Sequence, residues 1–318
     1  MRLAVLTSGG DAPGMNACIR AVVRAADVND FEVLAIRRGY QGVFDDDIAP
    51  LTRGDIIDTV HMGGTTLGTA RCADMYEDDG PARAVEVLSR HGVDALIAIG
   101  GDGTFRGCEA IERAGGPPTI GVPGTIDNDI AGTETTIGFD TAVNTALDAI
   151  DRLRDTARSH GIIHIVRVMG RHCGALALAA AIAGGTEAVV LPEDGHPAEG
   201  LVEQITDAIN HGKQGIIVVV SEGARDSIDG IAADLTLQTG RSHRITVLGH
   251  IQRGGRPSAM DRLLGATMGV EAVRAARQGA RGVFIGKQAG ALVRVPYSVA
   301  AGTQPLDERL TGVRKLLS

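Results

Sequence analysis

Six short apolar runs in this chain each stop at a stretch of glycine and small polar residues: 7–14, 100–104, 123–129, 169–172, 221–223 and 249–256. Runs of this length read as buried strands, and apolar residues at helical spacing between them read as helices. The strand-like runs are Leu3–Leu6, Phe31–Ile36, Ala95–Ile99, Thr119–Val122, Ile162–Val168, Glu187–Leu191, Gly215–Val220, Ile245–Leu248 and 283–286. Ile19, Val22, Val23 and Ala26 form the inward face of a helix that starts after Gly14, and Val143, Ala146, Leu147, Ile150 and Leu153 that of a helix over 139–158. A small-residue helix runs to Ile182 and another spans about 260–278. Strands alternating with helices dictate an α/β fold with mostly parallel sheets covered on both faces. Ligands in such folds bind beyond the carboxyl ends of the strands. One glycine-rich strand exit is noise; six in register are a site.

The 318 residues suffice for about two domains. No run approaches the ~20 apolar residues of a membrane-spanning helix, and Leu3–Leu6 is too short for a signal-peptide core, so a cytoplasmic protein is expected. A net charge of −8 opposes non-specific nucleic-acid binding, and 3% aromatic residues leave little for base stacking. The four cysteines, at 18, 72, 108 and 173, show neither CxxC pairing nor zinc spacing, which fits a reducing compartment.

The loops carry chemistry. Thr7–Gly14 joins a strand to a helix N-terminus, where free N–H groups and the dipole can cradle phosphate, although most such turns are only connections. Gly100-Gly101-Asp102-Gly103-Thr104 sets one carboxylate among glycines, suited to Mg²⁺ beside a polyphosphate. Arg71 closes the Gly/Thr-rich loop 63–71 and is either a phosphate fork or a surface arginine. In Pro123-Gly124-Thr125-Ile126-Asp127-Asn128-Asp129, two carboxylates one residue apart are either a base beside a metal position or the solvated acids of an Asx-turn. Arg20 and Arg24, at i and i+4, repel one another unless an anion or acid lies between them.

Taken together, Thr7–Gly14, Gly100–Thr104, Pro123–Asp129, Met169–Arg171 and Gly249–Gly255 resemble the bacterial 6-phosphofructokinases. The match runs from residue 1 to about 286; Pro-Gly-Thr-Ile-Asp-Asn-Asp and Gly-His-Ile-Gln-Arg-Gly-Gly are its most specific parts. The resemblance implies two doubly wound domains, with residues 1–138 and 252–301 binding nucleotide and 139–251 and 302–318 binding sugar phosphate. It implies transfer of the ATP γ-phosphoryl to the 1-hydroxyl of fructose 6-phosphate, with Mg²⁺, in a homotetramer with shared sites.

Carried over position by position, Gly10, Arg71, Cys72, Gly101, Gly103 and Thr104 would line the ATP site and Asp102 would hold Mg²⁺. Asp127 would take the sugar hydroxyl's proton with Thr125, Ile126 and Asp129 beside it, while Arg71 and Arg171 balance the charge developing on the phosphoryl group. Met169, Gly170, Arg171 and Glu222 would hold the sugar, as would His250, Ile251, Gln252 and Arg253. Arg244 would reach the 6-phosphate from a neighbouring subunit. Arg20, Arg24, Arg53, Arg154, Gly185, Glu187 and Lys213 fall at the family's effector site for a nucleoside diphosphate or phosphoenolpyruvate, though His211 and Gln214 stand where basic residues are usual. In the pyrophosphate-dependent branch an Asp and a Lys occupy two positions that are here Gly103 and Gly124, which implies ATP as donor. One departure concerns the acceptor: Ile162 replaces an arginine that contacts the 6-phosphate, a loss of about 1.5–3 kcal/mol that Arg244 would carry alone or with Arg167 or His164.

Two other readings share this architecture. A nicotinamide-dependent oxidoreductase would need G-x-G-x-x-G after the first strand, and Pro13 spoils that pattern. A non-catalytic sugar-phosphate sensor would have no use for Asp102, Asp127 and Arg171 together.

Overall fold

The computed structural model describes residues 1–195, 198–302 and 304–317. In chain order the strands are β1 (Arg2–Ser8), β2 (Glu32–Ile36), β3 (Ile48–Pro50), β4 (Ala95–Gly100), β5 (Thr119–Pro123), β6 (Ile163–Val168), β7 (Ala188–Val190), β8 (Ile216–Ser221), β9 (His243–Val247), β10 (Val283–Gln288) and β11 (Ala291–Pro296). The helices are α1 (Met15–Val28), α2 (Tyr40–Phe44), α3 (Gly80–Arg90), α4 (Asp102–Arg113), α5 (Phe139–His160), α6 (Ala175–Gly184), α7 (Ala198–Asn210), α8 (Ile228–Thr239), α9 (Ala259–Arg277), α10 (Tyr297–Ala300) and α11 (Glu308–Leu317).

The chain forms two compact units. The first comprises Met1–Thr125, Ile130–Thr141 and Arg253–Gln304; the second comprises Ile126–Asp129, Ala142–Gln252 and Pro305–Ser318. The first unit holds a seven-stranded sheet of order β11-β10-β5-β4-β1-β2-β3, parallel except at its two edges. Leu6, Leu96, Ala98 and Phe105 lie in its core, where the Phe105 ring stacks between Phe284 and Tyr297 at centroid distances of 5.1 and 5.4 Å. Helices α1 and α9 approach closely: a Cβ on Gly269 would stand 2.7 Å from the Cys18 carbonyl oxygen. The second unit holds a four-stranded parallel sheet of order β7-β8-β6-β9. Its alternate residues feed two cores, Val166, Val168 and Ile217 on one face and Ile163, Ile165 and Ile216 on the other.

The α/β fold with parallel sheets is as expected. Where periodicity reads only a strand at 283–286 and a tail, the structure has the β10–β11 hairpin and two further helices. Its turn, Ala289-Gly290, has φ of 48° and 80°, the pattern of a type I′ hairpin turn, without the Asn-Gly or Asp-Gly pair that usually signals one. Three-residue β3 is too short to show a period.

Candidate active site

In the first unit, β5, β4 and β1 are adjacent, and the strand order reverses between β1 and β4. Parallel strands leave their carboxyl ends on one side, so the loops after Ser8, Gly100 and Pro123 emerge side by side at the point where open sheets bind ligands. Gly14, at φ 109°, turns the first loop into α1, and a Cβ there would meet Ile137 Cγ2 at 2.8 Å. A Cβ on Gly10 would fall 1.8 Å from Arg253 Nη1, and that guanidinium also donates to the Asp11 carbonyl at 3.5 Å. Arg253, expected at the sugar, thus lies within this unit against the first glycine loop.

The loop 63–71 is laced to the same place. Buried Asn16 donates its amide to the Met62, Gly63 and Gly64 carbonyls at 3.1–3.3 Å and accepts from Thr66 N at 2.7 Å. Thr69 Oγ1 donates to Gly9 O at 2.7 Å. Arg71 is exposed at the end of this loop. Cys72 is buried in the apolar cluster; burial, with the nearby Asp74 charge, pushes its thiol upward, so it is a packing residue and not a nucleophile.

Asp102 opens α4, where a helix N-terminus favours its negative charge, and it pairs with Arg106 at 2.7 Å. Thr104 Oγ1 donates to Ser8 O at 3.1 Å, and buried Tyr40 donates from its hydroxyl to Thr104 O at 2.6 Å. These bonds tie the second loop to β1 and to α2. A Cβ on Gly103 would have nothing within 4 Å, whereas one on Gly124 would stand 2.9 Å from Met15 Cε. The third loop joins the second through Gly124 N, which donates to Gly100 O at 3.0 Å; a Cβ on Gly101 would lie 3.9 Å from Thr125 Cβ.

In the second unit, β8, β6 and β9 are adjacent and deliver Ser221, Val168 and Val247 to the same side. Glu222 N donates to Val168 O at 2.8 Å, and Gly223 N and Ser221 Oγ donate to Gly170 O at 3.1 and 2.7 Å, which lock loops 169–173 and 221–223 together. Arg171 is exposed there while Met169 is buried. Asp127 and Asp129 flank Asn128, whose φ of 52° makes the sharp turn between them. Both carboxylates lie near Cys173; burial foremost, with the charges of Glu193, Asp129 and Asp127, pushes that thiol up to about 11.

After β9, His250 and Ile251 are exposed, but Gln252 is fully buried and its amide donates to Gly249 O at 3.2 Å. Arg244, on edge strand β9, is exposed and paired in register with His164. The His164 ring is buried with Nε2 at 2.8 Å from Thr246 Oγ1; burial, then the Arg244 charge, holds it below the usual histidine range. Ile162 packs against the apolar cluster that holds Val166 and Val168, whereas Arg167 donates to Glu222 O at 3.2 Å.

Four expected effector residues gather in the second unit. Glu187, almost fully buried, accepts from Lys213 Nζ and from Ile217 N at 2.6 Å, and Arg154 reaches it at 3.7 Å while donating to the Gly185 carbonyl at 3.1 Å. Gly185, Glu187 and Lys213 line a cleft of about 1000 Å³ together with His211 and Arg314. Arg20, Arg24 and Arg53 belong to the first unit, where Arg53 pairs with Asp27.

The phosphofructokinase family model matches residues 2–276. The ATP-dependent 6-phosphofructokinase of Actinobacillus succinogenes is 49% identical over 292 residues, 92% of this chain and 91% of that protein. ATP-dependent 6-phosphofructokinase 1 of Thermus thermophilus is 49% identical over 304 residues, 94% of this chain and 93% of that protein. A crystal structure of Pichia pastoris phosphofructokinase in the T-state superposes with a TM-score of 0.88 at 33% identity, covering 99% of this chain and 36% of that longer one. The glycine loops at three adjacent strand ends, the acidic turn and the matches over nearly the whole chain lead to one assignment: this chain belongs to the phosphofructokinase family.

Proposed function

We propose that the chain is an ATP-dependent 6-phosphofructokinase, a phosphotransferase that converts fructose 6-phosphate and ATP to fructose 1,6-bisphosphate and ADP. The observation that carries this reading is the placement of Thr7–Gly14, Gly100–Thr104 and Pro123–Thr125 at the ends of three neighbouring parallel strands. Backbone N–H groups of the two glycine loops and the α4 N-terminus receive the donor's phosphates. The space beside Gly103 leaves the nucleotide unobstructed. Mg²⁺ bound to the donor would neutralise phosphate charge beside Asp102. Among the described residues no three His, Cys, Asp or Glu side chains stand together, which suits an ion held by one carboxylate, phosphate oxygens and water.

Phosphoryl transfer demands positioning and charge balance more than covalent chemistry. The 1-hydroxyl oxygen attacks the γ-phosphorus in line, its proton passes to Asp127, and the bond to the β–γ bridging oxygen breaks as ADP leaves. Arg71 and Arg171 answer the charge spreading over the equatorial oxygens. Thr125, Ile126 and Asp129 shape the turn around the base. Met169, Gly170, Glu222, His250 and Arg253 hold the sugar, with Arg244 on the 6-phosphate of a site shared with a neighbouring copy in a cytoplasmic homotetramer. The first unit is the nucleotide-binding part and the second the sugar-phosphate part. The cleft at Glu187 and Lys213 takes a nucleoside diphosphate or phosphoenolpyruvate as effector. Asp127→Asn tests the assignment: kcat should fall with KM for both substrates little changed, and a variant as fast as the parent overturns the base.

A further inference from the structure

The start of α5 and the start of α9 exchange caps. Ser258 caps α9, accepting from Asp261 N at 3.2 Å, and Asp261 stands at the position whose carboxylate ordinarily returns to the Ser258 N–H. It does not return here. Asp261, 1% exposed, instead accepts from Gly138 N and Thr141 N at 2.8 Å each and from Thr141 Oγ1 at 2.5 Å, so it caps α5. Ser258 N, left over, donates to Thr141 Oγ1 at 2.9 Å.

The residues just before Gly138 are bonded to the 123–129 loop. Ile137 N donates to Pro123 O at 2.9 Å, Ile137 forms a parallel bridge with Gly124, and Thr136 Oγ1 donates to Thr125 O at 2.6 Å. Ile137 and Asp261 also fill the space where a Cβ on Gly14 would lie, 2.8 and 3.1 Å away. A buried carboxylate with three donors, preceded in the chain by two consecutive residues that grip the Pro123 and Thr125 carbonyls of one loop, is more than a helix cap requires. Thr136 and Asp261 are themselves buried, at 0% and 1% exposed.

We propose that Asp261, acting through Gly138 and Thr136, is a positioning residue that sets the Thr125 carbonyl and hence the turn that presents Asp127. This rests on the reading of Asp127 as the base.

Thr136→Val replaces a fully buried hydroxyl with a methyl group and removes the donor to Thr125 O. The expected result is a kcat lower by about tenfold to a hundredfold, as for a displaced reacting group, with KM for both substrates and Mg-ADP affinity by calorimetry within about twofold. Thr136→Ser keeps the hydroxyl and should restore kcat. Asp261→Asn, which turns an N–H₂ toward backbone donors, should show the same pattern, and combining it with Thr136→Val should add little, because the residues act in series. A Thr136→Val enzyme with parental kcat overturns the proposal even if Asp261→Asn fails to fold. So does a loss that serine does not restore, or effects that add in full. A parent inactive with fructose 6-phosphate and Mg-ATP overturns this proposal and the kinase reading together; an active parent with an unaffected Thr136→Val variant overturns this one alone.

Discussion

Asp127 reaches its place by way of Asn128, whose left-handed φ of 52° separates the two acids of the turn. A general base contributes about 10²–10⁴-fold. Asp127→Asn is therefore expected to lower kcat by about that factor while the thermal midpoint stays near the parent's; initial rates and a melt check both. Ile162, which stands where the resemblance leads one to expect an arginine for the 6-phosphate, packs against the apolar cluster that holds Val166 and Val168. Ile162→Arg, if it restores a charge-assisted contact of about 1.5–3 kcal/mol, should lower KM for fructose 6-phosphate at least about tenfold. An unchanged KM would mean that the Arg244 pocket is already complete.

At the scale of elements, α4 shows how a glycine loop is held firmly while the space beside it stays open. Its first turn is held by Thr104, whose hydroxyl bonds Ser8 O at the end of β1, and by Tyr40, while a Cβ on Gly103 would face open space. Gly103→Asp should fold as well as the parent, because nothing has to move, yet raise KM for ATP by setting a second carboxylate among the phosphates; saturation kinetics and a melt separate the two effects. The strands other than β3 and β11, the glycine loops and the α1 and α5 faces were legible because burial writes its period locally. Arg253 was not legible in this way: its motif points to the sugar, but only the fold brings its guanidinium against Gly10, 243 positions back in the chain (253 − 10). Asn16 and Tyr40 carry no local signature either, since each acts on a loop more than forty residues away. Asp261 did leave a trace, Ser-x-x-Asp at 258–261, but that pattern announces a capping box, and its carboxylate is spent on a different helix.

For the whole molecule, the four cysteines lie buried and are free thiols. Burial pushes Cys108 and Cys173 from the ordinary value of 9.0 up to about 11. The folded protein therefore keeps protons that the unfolded chain releases between these values. Stability from this source is complete below about pH 9 and is lost as the pH climbs toward 11. The thermal midpoint should fall across that window, and Cys108→Ala should flatten the fall; equal slopes for parent and variant would exclude Cys108 as a cause.

The most direct test of the whole account is the initial rate with fructose 6-phosphate, measured once with Mg-ATP and once with pyrophosphate as donor. The account predicts turnover with Mg-ATP and none above background with pyrophosphate. Turnover with pyrophosphate alone would contradict the donor argued from Gly103 and Gly124, and no turnover with either would contradict the kinase.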